Sequence, residues 1–347
     1  MFHYQANSRG AQLIEGGGTA RLNLSMAVAD CDHVRDLVSG EVTADGVVLT
    51  PMTLPVEEIF FRFLKNREFD VAELSFAKFL TLQASGETDF VGLPVFPSRV
   101  FRHSAIYVRQ DSGISDPKDL EGKTVGIPEW AQTAGVYVRG ILKESYGIDL
   151  AKVKWVQAGV NQPGRVEKVK FSLPEGVQYE SRPEKSLNEM LVSGEIDVAI
   201  TARPPQSLFD ADSPIKRLFD NPRHEEFKNF QETGLFPIMH VVVMRRPVFE
   251  SHPWVGRSLY KAFDEAKKRS LERMVDITSA RVPLPWAASQ AEELIELFGN
   301  DPWPYGIAEN DSTLSTFCRF IYEQGLSDRL VKPVELFPKE LHESVRV

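Results

Sequence analysis

Cysteine is almost absent: Cys31 and Cys318 are the two in 347 residues, and they stand far apart. That is too sparse for a disulfide framework and has no metal-motif spacing, so a reducing compartment is the simplest expectation. Histidine is also scarce, with seven residues and no HxH or HExxH spacing, so local sequence carries no metal signal. Basic residues are in deficit, 40 Lys and Arg against 49 Asp and Glu, for a net charge of −9. A phosphate backbone demands a basic face, which excludes nucleic acid as the expected partner. No stretch approaches the roughly 18 consecutive apolar residues of a membrane span, so no membrane partner is expected either. The first twenty residues, MFHYQANSRGAQLIEGGGTA, lack both the basic start and the apolar core of a secretory signal. They read as a flexible leader on a cytoplasmic protein. There is no internal repeat and no low-complexity segment.

What is present is alternation. Apolar runs at Leu22–Ala29, Val47–Thr50 and Asp70–Leu74 are each followed by a helical pattern. The helix after Pro55 carries Glu57 and Glu58 in its first turn, and Ser75 stands where a cap is needed for 76–84. Strand–helix alternation with apolar strands predicts an α/β fold with mainly parallel strands. Further strands are expected at 93–96, 104–109, 124–127, 155–157, 196–201 and 237–244. Helices are expected over 132–146, 184–192, 287–298 and 314–322. A long helix capped by Ser251 is expected to turn Val255, Leu259, Phe263, Ala266 and Met274 inward, and 165–184 reads as a loop or hairpin. The layout divides into a leader (1–20), a first lobe (21–110 plus 237–347) and a second lobe (111–236). Crossovers are expected at Arg109–Ser112 and Arg203–Pro237.

The stretch GLPVFPSRVFRHSAIYVR, residues 92–109, stands out. Arg99, Arg102 and His103 sit between two strand-like runs, where ordinary surface charge is hard to place. Guanidinium forks hold carboxylates and histidine moves protons near neutral pH. In an acidic protein, an anionic ligand needs such a local positive pocket. The plain alternative is that the arginines pair with structural acids and His103 packs quietly.

The interrupted first lobe, with DLEGKTVGIPEWAQTA opening the second and LVSGEIDVAITA closing it, resembles the type II periplasmic-binding-protein fold. That fold is two-lobed with a cleft between the lobes. Six stretches together narrow the likeness: LPVEEIFFRFL, FDVAELSFAKFL, VGLPVFPSRVFRHSAIYVR, VGIPEWAQTAGVYVRGIL, LFPIMHVVVM and DPWPYGI. They resemble the 4,5-dihydroxyphthalate decarboxylase family over about 22–337. The resemblance implies a carboxy-lyase without an organic cofactor, acting on a small aromatic di- or monocarboxylate. The family's reaction turns 4,5-dihydroxyphthalate into protocatechuate and carbon dioxide. A non-catalytic binding protein for an aromatic carboxylate or other small anion is the competing reading, since most proteins of this fold bind solutes. A homo-oligomer is compatible with either.

Losing carbon dioxide from a hydroxylated ring without a cofactor requires protonation of the carbon that bears the carboxylate. A site for it must hold carboxylates, favour the ionised phenol and deliver one proton. Arg99 and Arg102 fit the clamp, and His103, Glu129 and Glu73 are the candidate proton donors. Burial beside an anionic substrate is expected to raise the pKa of each glutamate, with a plain salt bridge as the alternative. Ser75, Gln132 and Thr133 begin helices facing the expected cleft and offer an anion cradle. Arg203 is a further carboxylate ligand, His240 stands mid-strand at the return crossover, and Trp130, Trp303 and Tyr305 offer stacking faces. No metal is expected, although His103, His240, Glu73 and Glu129 have the ligand chemistry for a divalent ion, which leaves one open.

Overall fold

The apolar runs pair into two mixed sheets. The computed structural model describes residues 21–86, 88–279, 283–299 and 301–343; the expected leader lies outside them. The first lobe opens with β1 (Leu22–Val28), α1 (Asp32–Ser39), β2 (Val47–Thr53), α2 (Val56–Asn66), β3 (Val71–Ser75), α3 (Phe76–Ser85) and β4 (Phe90–Arg99). The second contains β5 (Ile106–Arg109), β6 (Thr124–Ile127), α4 (Thr133–Tyr146), β7 (Lys154–Gly159), β8 (Gln178–Ser186), α5 (Leu187–Ser193), β9 (Val198–Ile200) and β10 (Ile215–Arg217). The chain returns through α6 (Pro222–Thr233) to β11 (Ile238–Arg245), then α7 (Arg246–Ser251), α8 (Trp254–Val275), α9 (Ala287–Phe298) and α10 (Asp311–Glu323).

Sheet order is β2-β1-β3-β11-β4 in the first lobe and β10-β5-β9-β6-β7-β8 in the second. The returning β11 runs antiparallel to both β3 and β4, so its first residues lie at the carboxyl edge of the parallel strands. Hence His240 stands opposite Ser75, the last residue of β3. Central strands β3 and β9 are buried along their whole length, and β6 is buried from Val125 to Ile127, so the polar Glu73 and Ser75 of β3 are enclosed with the apolar residues.

Four sequence expectations are corrected. Ile106–Arg109 belongs to the second sheet, pairing with β9 and β10, so the first crossover lies at 100–105 and not at Arg109–Ser112. Part of 165–184 is strand: β8 pairs in parallel with β7 at the sheet's edge, where polar residues such as Glu180 and Arg182 need no burial. Ser251 ends α7, and Pro253 occupies the N-cap of α8. Met274, in the last turn of α8, is 41% exposed, because the helix outruns the surface that its apolar face covers.

α10 ties the lobes together. Phe317 stacks between Phe76 of α3 (5.0 Å) and Tyr137 of α4 (4.4 Å). Phe320 lies so close to Gly140 of α4 that any side chain there would collide with its ring. The Tyr137 hydroxyl accepts the Ile238 amide (3.1 Å), fastening α4 to the start of β11.

Candidate active site

In sheets of this kind, ligand-facing groups gather where parallel strands end and helices begin. Here the two lobes meet at such ends. Ser75, between β3 and α3, shares a hydrogen bond with Thr133 of α4 (Oγ to Oγ1, 3.0 Å). Thr133 Oγ1 also accepts the Ala77 amide (3.0 Å), so α3 is capped by a residue from the opposite lobe. Ser75 itself makes no capping bond. Gln132, at the N-cap of α4, buries an Oε1 without a partner, and so does Thr201 Oγ1 just beyond β9. Buried polar atoms left unpaired at a cleft are free to receive a ligand.

Two residues before Ser75, Glu73 is 1% exposed. Its Oε2 accepts the Ala29 amide (2.8 Å), and its Oε1 accepts Nδ1–H of His240 (2.5 Å). Burial pushes the Glu73 carboxyl up, but the His240 bond and charge, the Ala29 amide and His33 together hold it below the usual carboxylate range. The edge of Phe60 covers the His240 ring at 5.0 Å. His33, in the first turn of α1, donates Nε2–H to the Pro97 carbonyl (2.6 Å) and lies 5.4 Å from the ring of Trp303.

Beyond Thr133, Glu129 is fully buried among cations. Lys78 of α3 reaches Oε2 (2.6 Å), Arg165 reaches Oε1 (2.8 Å), and Lys168 lies 3.8 Å away. Burial raises the Glu129 carboxyl, but these three charges outweigh it and leave the group ionised. With Glu167 bonded to the Ala131 amide beside them, the cluster keeps an excess of positive charge. The expected rise in both glutamate pKa values is therefore reversed, since partners are close enough to offset desolvation.

Several expected ligands have other duties. Arg99 donates to the carbonyls of Phe236 (3.2 Å) and Pro304 (2.8 Å) and to Asn310 Oδ1, with Phe96 and Phe236 against its faces. These bonds brace the return of the chain. Arg102 donates to the Met239 sulfur (3.1 Å) and, with His103, lines a small void closed by Ile106, Val138, Ile141, Leu142, Tyr146 and Phe219. That void adjoins the distal half of α4, away from Thr133. Arg203 forms a two-pronged ion pair with Glu57 of α2 (2.7 and 2.8 Å), an exposed link between lobes. Trp130 is sealed between Arg139 and Phe171, its indole donating to Gln324 O (2.8 Å). Tyr305 is 2% exposed, with Lys267 over its ring. Trp303 donates Nε1–H to Phe96 O (3.0 Å) and presents its ring to His33.

The metal ligand set does not assemble: His240 meets Glu73, but His103 and Glu129 do not join them. Among the described residues no group of three His, Cys, Asp or Glu side chains is placed to hold a metal ion.

His103 carries a prediction of its own. It is 3% exposed, both ring nitrogens lack partners, and burial pulls its pKa from 6.5 to about 4. Between those values the unfolded chain holds a proton that the folded chain refuses. Stability is thus full above pH 6.5 and falls as pH drops towards 4, by roughly 3 kcal/mol from this residue. Urea titrations at several pH values should show His103→Leu losing much of that acid sensitivity.

Sequence reasoning missed His33, Lys78, Arg165 and Lys168. The position of Lys78, three residues after Ser75 in a helix's first turn, was a readable signal; Arg165 and Lys168 lie in an irregular segment whose path only the tertiary structure gives.

Fold and site define a two-lobed α/β chain of the binding-protein type with an ionisable seam between its lobes. Solved structures agree on the fold: the periplasmic aliphatic sulphonate binding protein SsuA of Escherichia coli aligns with a TM-score of 0.51 at 13% identity, over 91% of this chain and 92% of its own. The desulfurization enzyme DSZB aligns at 0.52 and 14%, over 92% and 97%. The NMT1/THI5 like family matches residues 100–169. A 4,5-dihydroxyphthalate decarboxylase of Comamonas testosteroni is 40% identical over 330 residues, 94% of this chain and 100% of its own. A second, from Pseudomonas putida, is 41% identical over 204 residues, 58% of this chain and 79% of its own. The chain belongs to the 4,5-dihydroxyphthalate decarboxylase family and is a carboxy-lyase. Among the described residues no helix is long and apolar enough to cross a membrane.

Proposed function

We propose that this protein decarboxylates 4,5-dihydroxyphthalate to protocatechuate in the cytoplasm, without an organic cofactor, by protonating the ring carbon that loses its carboxylate. The observation that carries the reading is the buried Glu73–His240 pair (2.5 Å), with His240 opposite Ser75 in the sheet, together with the Ser75–Thr133 contact and the Lys78, Arg165 and Lys168 cluster at Glu129. One half supplies a proton; the other holds negative charge.

The cationic cluster takes the carboxylate that is retained, with the amides at the start of α4 beside it. The carboxylate that departs is turned towards His240. Glu73 stabilises the His240 imidazolium and fixes its ring through Nδ1, leaving Nε2–H to be delivered to the ring carbon. The phenolate para to that carbon feeds electrons inward as the proton arrives. The C–CO2 bond then breaks, and its electron pair restores the aromatic ring. His240 recovers its proton from solvent. One proton is consumed and one carbon dioxide released per turnover, and nothing is oxidised.

The test is incubation of the purified protein with 4,5-dihydroxyphthalate. Protocatechuate and carbon dioxide should appear in equal amounts as substrate disappears. Saturable binding with neither product would overturn the reading.

A further inference from the structure

We propose that His33 is the base that accepts the phenolic proton, opposite His240 as the acid; this rests on the decarboxylase reading above. The two rings are held by opposite nitrogens and by partners of opposite character. His33 gives Nε2–H to the Pro97 carbonyl (2.6 Å), so the neutral ring carries its lone pair on Nδ1. His240 gives Nδ1–H to the Glu73 carboxylate (2.5 Å), so Nε2 is its working nitrogen. A carboxylate supports an imidazolium strongly, whereas a neutral carbonyl does so far less. One histidine thus has an anion fixed against its ring, and the other only a neutral carbonyl. Environments that divide like groups in this way mark an acid and a base.

Both rings stand at the carboxyl edge of the first sheet. α1 begins just after Ala29, whose amide binds Glu73 Oε2, so Glu73 lies between the turn that carries His33 and the strand that carries His240. The groups facing His33 are Glu73 on β3, Asp32 on its own helix, Lys267 on α8 and the Trp303 ring. Burial is the largest influence and lowers the His33 pKa; the Pro97 bond, Glu73 and Asp32 oppose it without reversing it.

The step balances. His33 Nδ1 takes the phenol O–H proton, and the oxygen's electron pair flows to the para carbon as that carbon binds the His240 Nε2 proton. After carbon dioxide leaves with ring electrons restored, the phenolate recovers its proton from His33. His33 ends the cycle neutral, as it began.

The experiment compares pH–rate profiles for wild type, His33→Gln, His33→Asn and His240→Asn. Glutamine can still donate to Pro97 O but offers no base. At neutral pH, turnover by both His33 variants should fall by about 10²–10⁴-fold. Their affinity for unsubstituted phthalate, which has no phenol, should change less than threefold. Raising the pH, or using a ring-fluorinated substrate whose phenol ionises more readily, should restore most of their rate. Neither change should rescue His240→Asn. On the wild type, the fluorinated substrate should leave the acid limb of kcat/KM in place, because protonation of His33 and not of the phenol sets it. His33 variants that turn over within threefold of wild type, or whose loss neither pH nor fluorination repairs, would overturn the assignment. A wild type that releases no carbon dioxide would instead overturn the decarboxylase reading itself.

Discussion

Replacing His240 with asparagine should cut turnover by about 10²–10⁴-fold, the usual contribution of general acid catalysis, while substrate affinity stays within a few-fold. Asparagine still donates a hydrogen bond to Glu73 but carries no transferable proton. Glu73→Gln should act through the same ring, since His240 Nδ1 would then meet a neutral amide and its imidazolium would lose an anion at 2.5 Å. The split between rate and binding distinguishes this pair from the cationic cluster. Rapid-quench turnover and equilibrium binding of unsubstituted phthalate check it. Equal losses in both quantities would mean that the pair only shapes the cleft.

The second large effect concerns Glu129, in two measurements of opposite character. Glu129→Leu strands Lys78, whose side chain is 5% exposed, without its carboxylate. Breaking a buried pair from one side typically costs about 3–5 kcal/mol, so thermal and urea unfolding should show a severe loss. The wild-type contribution is present above the ordinary carboxylate range. It is lost only as pH falls through the lowered value that Glu129 has in the fold. Arg165→Met is the contrasting case. Arg165 is 29% exposed, and Glu129 keeps Lys78 when it is removed, so stability should change little. Losing a charged hydrogen bond to substrate costs about 1.5–3 kcal/mol, so KM should rise roughly ten- to a hundredfold with kcat less affected. An unchanged KM in both Arg165→Met and Lys168→Met would exclude this cluster as a carboxylate site.

How far the sequence could be read follows from where each residue sits. The α/β alternation and two-lobed layout were legible because strand and helix periods are local, and punctuation such as Gly40, Gly86 and Gly147 falls where helices stop. Ser75 and Thr133 stand at helix starts after parallel strands, as the sequence indicated, and they meet across the lobes at 3.0 Å. Arg99, Arg102 and His103 stood out in the sequence, but the contacts their side chains make were not legible there. Three charged or polar residues between apolar runs look like a pocket, yet the chain crosses between lobes at 100–105, and a crossover also needs buried donors. There Arg99 satisfies carbonyls at 236 and 304, which no local pattern could reveal. The glutamates were marked as site candidates, but their protonation was misjudged, because Lys78, Arg165 and His240 approach from distant parts of the chain. His33 was overlooked as one histidine in the first turn of a short helix, with nothing nearby in sequence to mark it.

The step on which the mechanism rests is transfer of the His240 proton to the ring carbon that loses its carboxylate. The most direct measurement is single turnover of 4,5-dihydroxyphthalate in deuterated water, with the product read by NMR for wild type and His240→Asn. One deuterium is expected at the carbon that lost its carboxylate, in product formed at full rate by wild type and at least a hundredfold more slowly by the variant, with substrate still bound. Protocatechuate without deuterium at that carbon, or deuterated product formed by His240→Asn at the wild-type rate, would contradict it.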